Sequence, residues 1–93
     1  MIEVTRTQDG DPLGFDVAVS DGSGSSRHQV TMDRQTADRL AGTCTPEACI
    51  EAAFRFLLDR EPRSAIMGSF DVTVISRYFP EFEARLPDYL KGV

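Results

Sequence analysis

Cys44 and Cys49 open a strongly apolar stretch of the chain and are its only cysteines. A thiol near a helix N-terminus is acidified, and a neighbouring thiol can resolve an oxidised one. That is the chemistry this pair could perform. The same spacing has a structural use. With Thr45 as helix cap, Cys44 takes the position before the cap and Cys49 the fourth helical position, the two sites of a hydrophobic staple. Cys-x4-Cys is not the usual redox spacing, and burial would raise a thiol pKa rather than lower it. The pair therefore reads first as a staple, and as a candidate redox couple second.

Other reactive side chains are sparse. His28 is the single histidine, and it shares strand parity with Val30 on an inward face. No neighbouring residue in the sequence supplies the nucleophile or orienting carboxylate a general base needs, so it reads as a strand-edge histidine without a catalytic role. A zinc site would require His28, both cysteines and a fourth ligand. Asp9-Gly10-Asp11 places two carboxylates together but falls short of a calcium loop, and is better read as turn chemistry. Gly22-Ser23-Gly24 lacks the lysine and following helix of a phosphate loop. The sequence thus nominates no catalytic residue, no cofactor-binding residue and no metal ligand.

The elements that must position these residues divide by hydrophobic period. Residues 2–7 alternate as a strand, with Ile2 and Val4 apolar. Gln8 to Gly14 is a turn. Phe15, Val17 and Val19 alternate with Asp16, Ala18 and Ser20 as a second strand, and Arg27 to Thr31 make a third, with His28, Val30 and Met32 on one parity. Asp21 to Ser26, all Gly, Ser and Asp, reads as a flexible hairpin loop. Thr31 or Asp33 can then cap a short helix through Leu40, stopped by Gly42.

Thr45-Pro46-Glu47 opens the central helix, 46–59, with a cap, a first-turn proline and an acid at the positive helix end. Glu47, Glu51, Arg55 and Asp59 recur every fourth position with almost only apolar residues between them. They mark one narrow polar stripe, and the rest of the helix must be enclosed by protein. Glu61-Pro62 ends it. Ser64 caps a brief turn to Gly68. Asp71 and Pro80 bracket a helix over Val72 to Phe79, although the β-branched run Val72 to Ile75 fits a strand nearly as well. Pro80 starts a last helix, with Phe82 and Leu86 inward and an interruption at Pro87. The spacing predicts an α+β single domain over 1–93: an antiparallel two- or three-stranded meander (1–32) packed on three to five short helices (33–93).

Composition limits what such a domain does. Ninety-three residues make one domain that buries roughly 60–65% of its unfolded surface. Hydrophobic and charged fractions of 41% and 27% are ordinary for a soluble globular protein. No apolar run approaches the roughly 18 residues of a membrane span, and Met1-Ile2-Glu3 has no basic and apolar leader, so no membrane is expected and the expected compartment is the cytoplasm. The net charge of −5 is spread along the chain without any Lys/Arg cluster. Nucleic acid is therefore disfavoured as a partner, because phosphate neutralisation supplies most of the non-specific affinity.

Phe56-Leu57-Leu58-Asp59-Arg60-Glu61-Pro62-Arg63-Ser64, then Phe70-Asp71, then Ile75-Ser76-Arg77-Tyr78-Phe79-Pro80-Glu81-Phe82 form a string that resembles a group of short bacterial proteins of unknown function. The resemblance implies a small free-standing bacterial protein with a β-rich N-terminal part. It brings no activity and no catalytic residues.

Seven of the eight aromatics lie between Phe54 and Tyr89. Core packing accounts for most of them. Yet Arg77, Tyr78, Phe82, Arg85 and Tyr89 also have the composition of an interaction hot spot. The sequence-based reading is a non-catalytic protein-interaction module, with a protein partner or a second copy bound through the C-terminal helices. Two alternatives stand behind it: a helix-turn-helix DNA binder using Ser64–Gly68 and Val72–Phe79, and a thiol-based redox protein.

Overall fold

The computed structural model describes residues 1–92. Strands β1 (Ile2–Asp9), β2 (Leu13–Asp21) and β3 (Gly24–Met32) form the expected antiparallel meander. Their inward parity is the one the alternation dictates. Val4, Val17 and His28 lie abreast, as do Arg6, Phe15 and Val30. The outward face is polar, and on it Arg27 donates to Asp16 at 2.5 Å. Strands β2 and β3 run almost to the hairpin tip, Asp21 opposite Gly24, so the stretch read as a flexible loop is mostly strand. A carboxylate makes this tight turn stand up: Asp21 Oδ1 accepts from the Ser23 amide at 2.8 Å and from its hydroxyl at 2.6 Å.

Four helices follow. Asp33, rather than Thr31, caps α1 (Arg34–Ala41), accepting from the Thr36 amide at 2.6 Å. Gly42 ends α1 at φ 60°, a left-handed conformation that a Cβ would strain. Thr45 caps α2 (Pro46–Leu58), accepting from the Ala48 amide at 3.1 Å. As the narrow polar stripe required, α2 is enclosed: Cys49, Ile50, Ala52, Ala53, Phe54, Phe56 and Leu57 are all buried. One 3-10 turn occupies Arg63–Ala65.

Here the sheet gains a strand that periodicity did not indicate. β4 (Ser69–Asp71) pairs in parallel with β3, Gln29 beside Ser69 and Thr31 beside Asp71. The strand order is β1-β2-β3-β4, so the meander is three strands of a four-stranded mixed sheet. Asp71 closes β4 instead of capping a helix. Its Oδ1 accepts from the Thr73 amide and hydroxyl at 3.0 and 2.7 Å, and its Oδ2 from the Thr31 hydroxyl at 2.7 Å. Val72 is consequently core, and α3 spans only Val74–Tyr78. α4 (Phe82–Leu90) runs through Pro87 without interruption.

The sheet's inner face and the helices share one core. Phe54 sits between the His28 ring, at 5.4 Å, and Phe70, at 6.0 Å. Phe56 holds the helical side together: the rings of Phe79, Phe82 and Tyr89 meet it edge-on at 5.8, 5.1 and 5.7 Å. The Arg60 guanidinium lies 3.7 Å over the same ring, a cation–π contact. No helix among the described residues is long and apolar enough to cross a membrane.

Candidate functional site

The residues with reactive chemistry are occupied structurally. His28 is buried, its Nδ1 lies 2.8 Å from the Met67 carbonyl and its Nε2 2.9 Å from the Ser26 hydroxyl. A carbonyl only accepts, so Nδ1 bears the proton, and in the neutral ring Nε2 accepts from Ser26. The imidazole thereby ties the 66–68 segment to the sheet. Cys49 is fully buried, and burial, with Cys44 contributing less, pushes its thiol up to about 11. That is the direction opposite to a nucleophilic thiol. Cys44 is exposed, so only one half of the staple lies in the core.

The Asp9–Asp11 turn is wrapped by arginine. Arg6 donates to Asp9 at 2.7 Å, and Arg34 donates to the Asp9 carbonyl at 2.8 Å and the Gly10 carbonyl at 3.0 Å. Among the described residues no group of three or more His, Cys, Asp and Glu side chains is placed to hold a metal ion.

The five residues of the expected interaction surface do not form one patch. Phe82 is core, 1% exposed. Tyr89 packs on Phe56, and its hydroxyl donates to Asp59 at 2.6 Å and accepts from Arg60 at 3.3 Å, clasping α4 to the end of α2. Arg85 pairs with Asp88 on the surface of α4. Arg77 and Tyr78 are exposed together on α3, apart from the likewise exposed Arg85 on α4.

Tyr78 leads to the site. Apart from Met1, the only large apolar side chains strongly exposed among the described residues are Tyr78, 68%, and Met67, 42%. They line the same groove, of about 400 Å³, between the end of α2, the 65–67 segment, β4 and α3. Leu57, Ile66, Phe70, Ile75 and Phe79 supply the rest of an apolar lining, and Glu61 its one charged side chain. The groove's walls are braced. His28 holds Met67 from the sheet side. Arg63 donates to Asp21 Oδ2 at 3.2 Å and to the Ser23 hydroxyl at 3.1 Å, fixing the 3-10 turn to the hairpin tip. Two bonds from Ser23, then that from Arg63, hold the Asp21 carboxyl down to about 2.

The lining sets one carboxylate, Glu61, at the side of a broad apolar surface, an arrangement that can bind an apolar group. The crowding of aromatics near the C-terminal end pointed to Tyr78, but nothing pointed to Met67, Phe70 or Glu61 as site residues; the signal lay in Met67-Gly68, an apolar residue stranded in a turn. The two helices of a helix-turn-helix are not formed, because 63–65 is a single 3-10 turn and a strand separates it from the short α3. Comparison with family models, curated proteins and solved structures finds no match.

Proposed function

We propose that this protein is a non-catalytic protein-interaction module of the bacterial cytoplasm, and that the groove between β4 and α3 is its docking surface. The observation that carries the reading is the convergence of Met67 and Tyr78, exposed at 42% and 68%, on one apolar groove. Exposed large apolar groups that share a concavity mark interaction sites, whereas the same groups scattered singly need no explanation. An unbridged pair of thiols, one of them exposed, suits a reducing compartment.

Nucleic acid is a poor fit for the same surface. Of the ten basic residues, Arg6, Arg27, Arg34, Arg39, Arg55, Arg60, Arg63 and Arg85 are in ion pairs. Arg77 and Lys91 alone lie outside an ion pair with a described residue, too few for a phosphate-tracking surface.

The test is site-specific crosslinking in the native host, with a photoreactive residue at position 78 and, as control, at position 5 on the outward sheet face. A partner captured at 78 and not at 5, and lost on Met67→Ser, is the expected result. Equal capture at both positions would remove the groove as the docking surface.

A further inference from the structure

The groove adjoins a free sheet edge, and the two together specify the shape of what binds. Gly68 O accepts from the Gln29 amide at 2.8 Å, and the Val72 amide donates to Thr31 O at 2.9 Å. In a parallel ladder alternate residues face the partner strand, so positions 68, 70 and 72 address β3. The backbone N–H and C=O of Ser69 and Asp71 therefore point to the outer edge, where no described residue bonds them. Among the described residues no strand lies beyond β4. Phe70, between them, turns its side chain inward onto Phe54 and lines the groove. A strand added along β4 would send every second side chain to that same inner side.

Charge selects among occupants. Glu61 is the one charged side chain of the lining and makes no ion pair with a described residue, on a chain of net charge −5. A matching ligand brings a cation. Size selects as well. A groove of about 400 Å³ takes a few side chains, as a short extended segment presents, whereas a standard interface between folded proteins engages roughly 20–30 residues a side. A second copy would also have to offer a free strand, and the exposed edge strand β1 has Ile2 and Val4 packed into its own core.

We infer that the groove and the outer edge of β4 take an extended peptide segment of a partner protein, with a bulky apolar side chain and a lysine or arginine two residues apart, in either order. The apolar residue fills the space between Met67 and Tyr78, the cation meets Glu61, and the backbone pairs with Ser69 and Asp71. This rests on the groove being the docking surface.

The probe is the blocked hexapeptide Thr-Phe-Thr-Lys-Thr-Val, with its reversed sequence, titrated to millimolar concentration against the full chain by heteronuclear NMR. The expected result is saturable shifts of the Ser69 and Asp71 amides together with Tyr78. Replacing the peptide's Phe by Ala, or its Lys by Glu, should weaken binding roughly tenfold or more. Glu61→Lys should invert the preference, so that the Glu peptide binds better. Ser69→Pro removes only an outward-facing N–H and should weaken binding while thermal melting stays near wild type; should it fail to fold, the charge inversion still decides. Shifts at Tyr78 with silent Ser69 and Asp71 amides, or indifference to peptide charge, would overturn the strand-addition inference and leave the groove reading standing. Shifts that follow protein concentration without peptide would assign the surface to a second copy and overturn it too. No shift in the groove with either peptide would overturn it as well, while crosslinking at position 78 separately decides the docking surface itself.

Discussion

Arg6 and Glu47 meet across the two layers of the fold through a pair of parallel hydrogen bonds, Nε to Oε2 at 3.1 Å and Nη2 to Oε1 at 2.7 Å. Arg6 is on the inward face of β1, half-buried, with its guanidinium 5.9 Å from the Phe15 ring centroid. The contact fixes the first turn of α2 against the sheet. It also explains a charged residue at an inward strand position: the stem covers apolar surface while the head reaches an acid on the facing helix.

Glu47→Gln should therefore lower stability by about 1 kcal/mol at neutral pH. Arg6 is the main cause of the depressed Glu47 carboxyl, followed in the same direction by the residue's own backbone hydrogen bond. A group with a lowered folded pKa contributes stability that is present above the ordinary carboxylate range and disappears as acid protonates the folded state. Chemical denaturation between neutral and acidic pH should show a shallower loss for the variant than for wild type. Parallel curves would mean that the pair contributes nothing net.

Cys49 gives the opposite sign. Its thiol rises from 9.0 to about 11 on folding, so its contribution is complete below pH 9.0 and is lost as pH climbs through the folded value. Wild type should lose about 2 kcal/mol across that window relative to Cys49→Ala, which has no thiol to ionise. Melting temperature against pH for the two proteins checks it; a constant difference between them would refute the shift.

The aromatic residues should separate into two classes on alanine substitution. Phe54, Phe56 and Phe82 are 0–1% exposed, and each should cost roughly 3–5 kcal/mol. Tyr78→Ala should stay within about 0.5 kcal/mol of wild type. Urea midpoints resolve the two classes easily. A large loss for Tyr78→Ala would show that the side chain supports the fold and does not wait for a partner.

His28→Phe would put a slightly larger ring in the buried site and strand the Met67 carbonyl and the Ser26 hydroxyl. The cost is expected at roughly 1–3 kcal/mol, with faster amide exchange confined to the 66–68 segment. Exchange that rises uniformly across the sheet would show that the imidazole's packing on Phe54 matters more than its hydrogen bonds.

Much of this architecture was legible because the deciding interactions are local. Asp33 and Thr45 cap helices through neighbours three residues on, and the parity of β1 to β3 follows from side-chain alternation. The misreadings share a different cause. β4 is three residues long and exists only through pairing with residues 40 positions earlier, so no local period reports it. Asp71 has the composition of a helix cap, yet its carboxylate is claimed by Thr31 across the sheet. Glu47 was legible as part of the polar stripe, but its partner on β1 was not. Phe82 and Tyr78 look equivalent in a list of aromatics; their places on α4 and α3 make one core and the other surface. Of the candidate site, only Tyr78 could be found this way.

The topology also sets an order in time. The first three strands can zip together through short turns, but the fourth must wait until everything from Asp33 to Gly68 has been laid down and has closed a long loop. The β4 edge is thus the last part of the sheet to be built and rests on the fewest pairs. Breathing motions of the native molecule should begin there, and an incoming strand would act as a latch on the region that opens first.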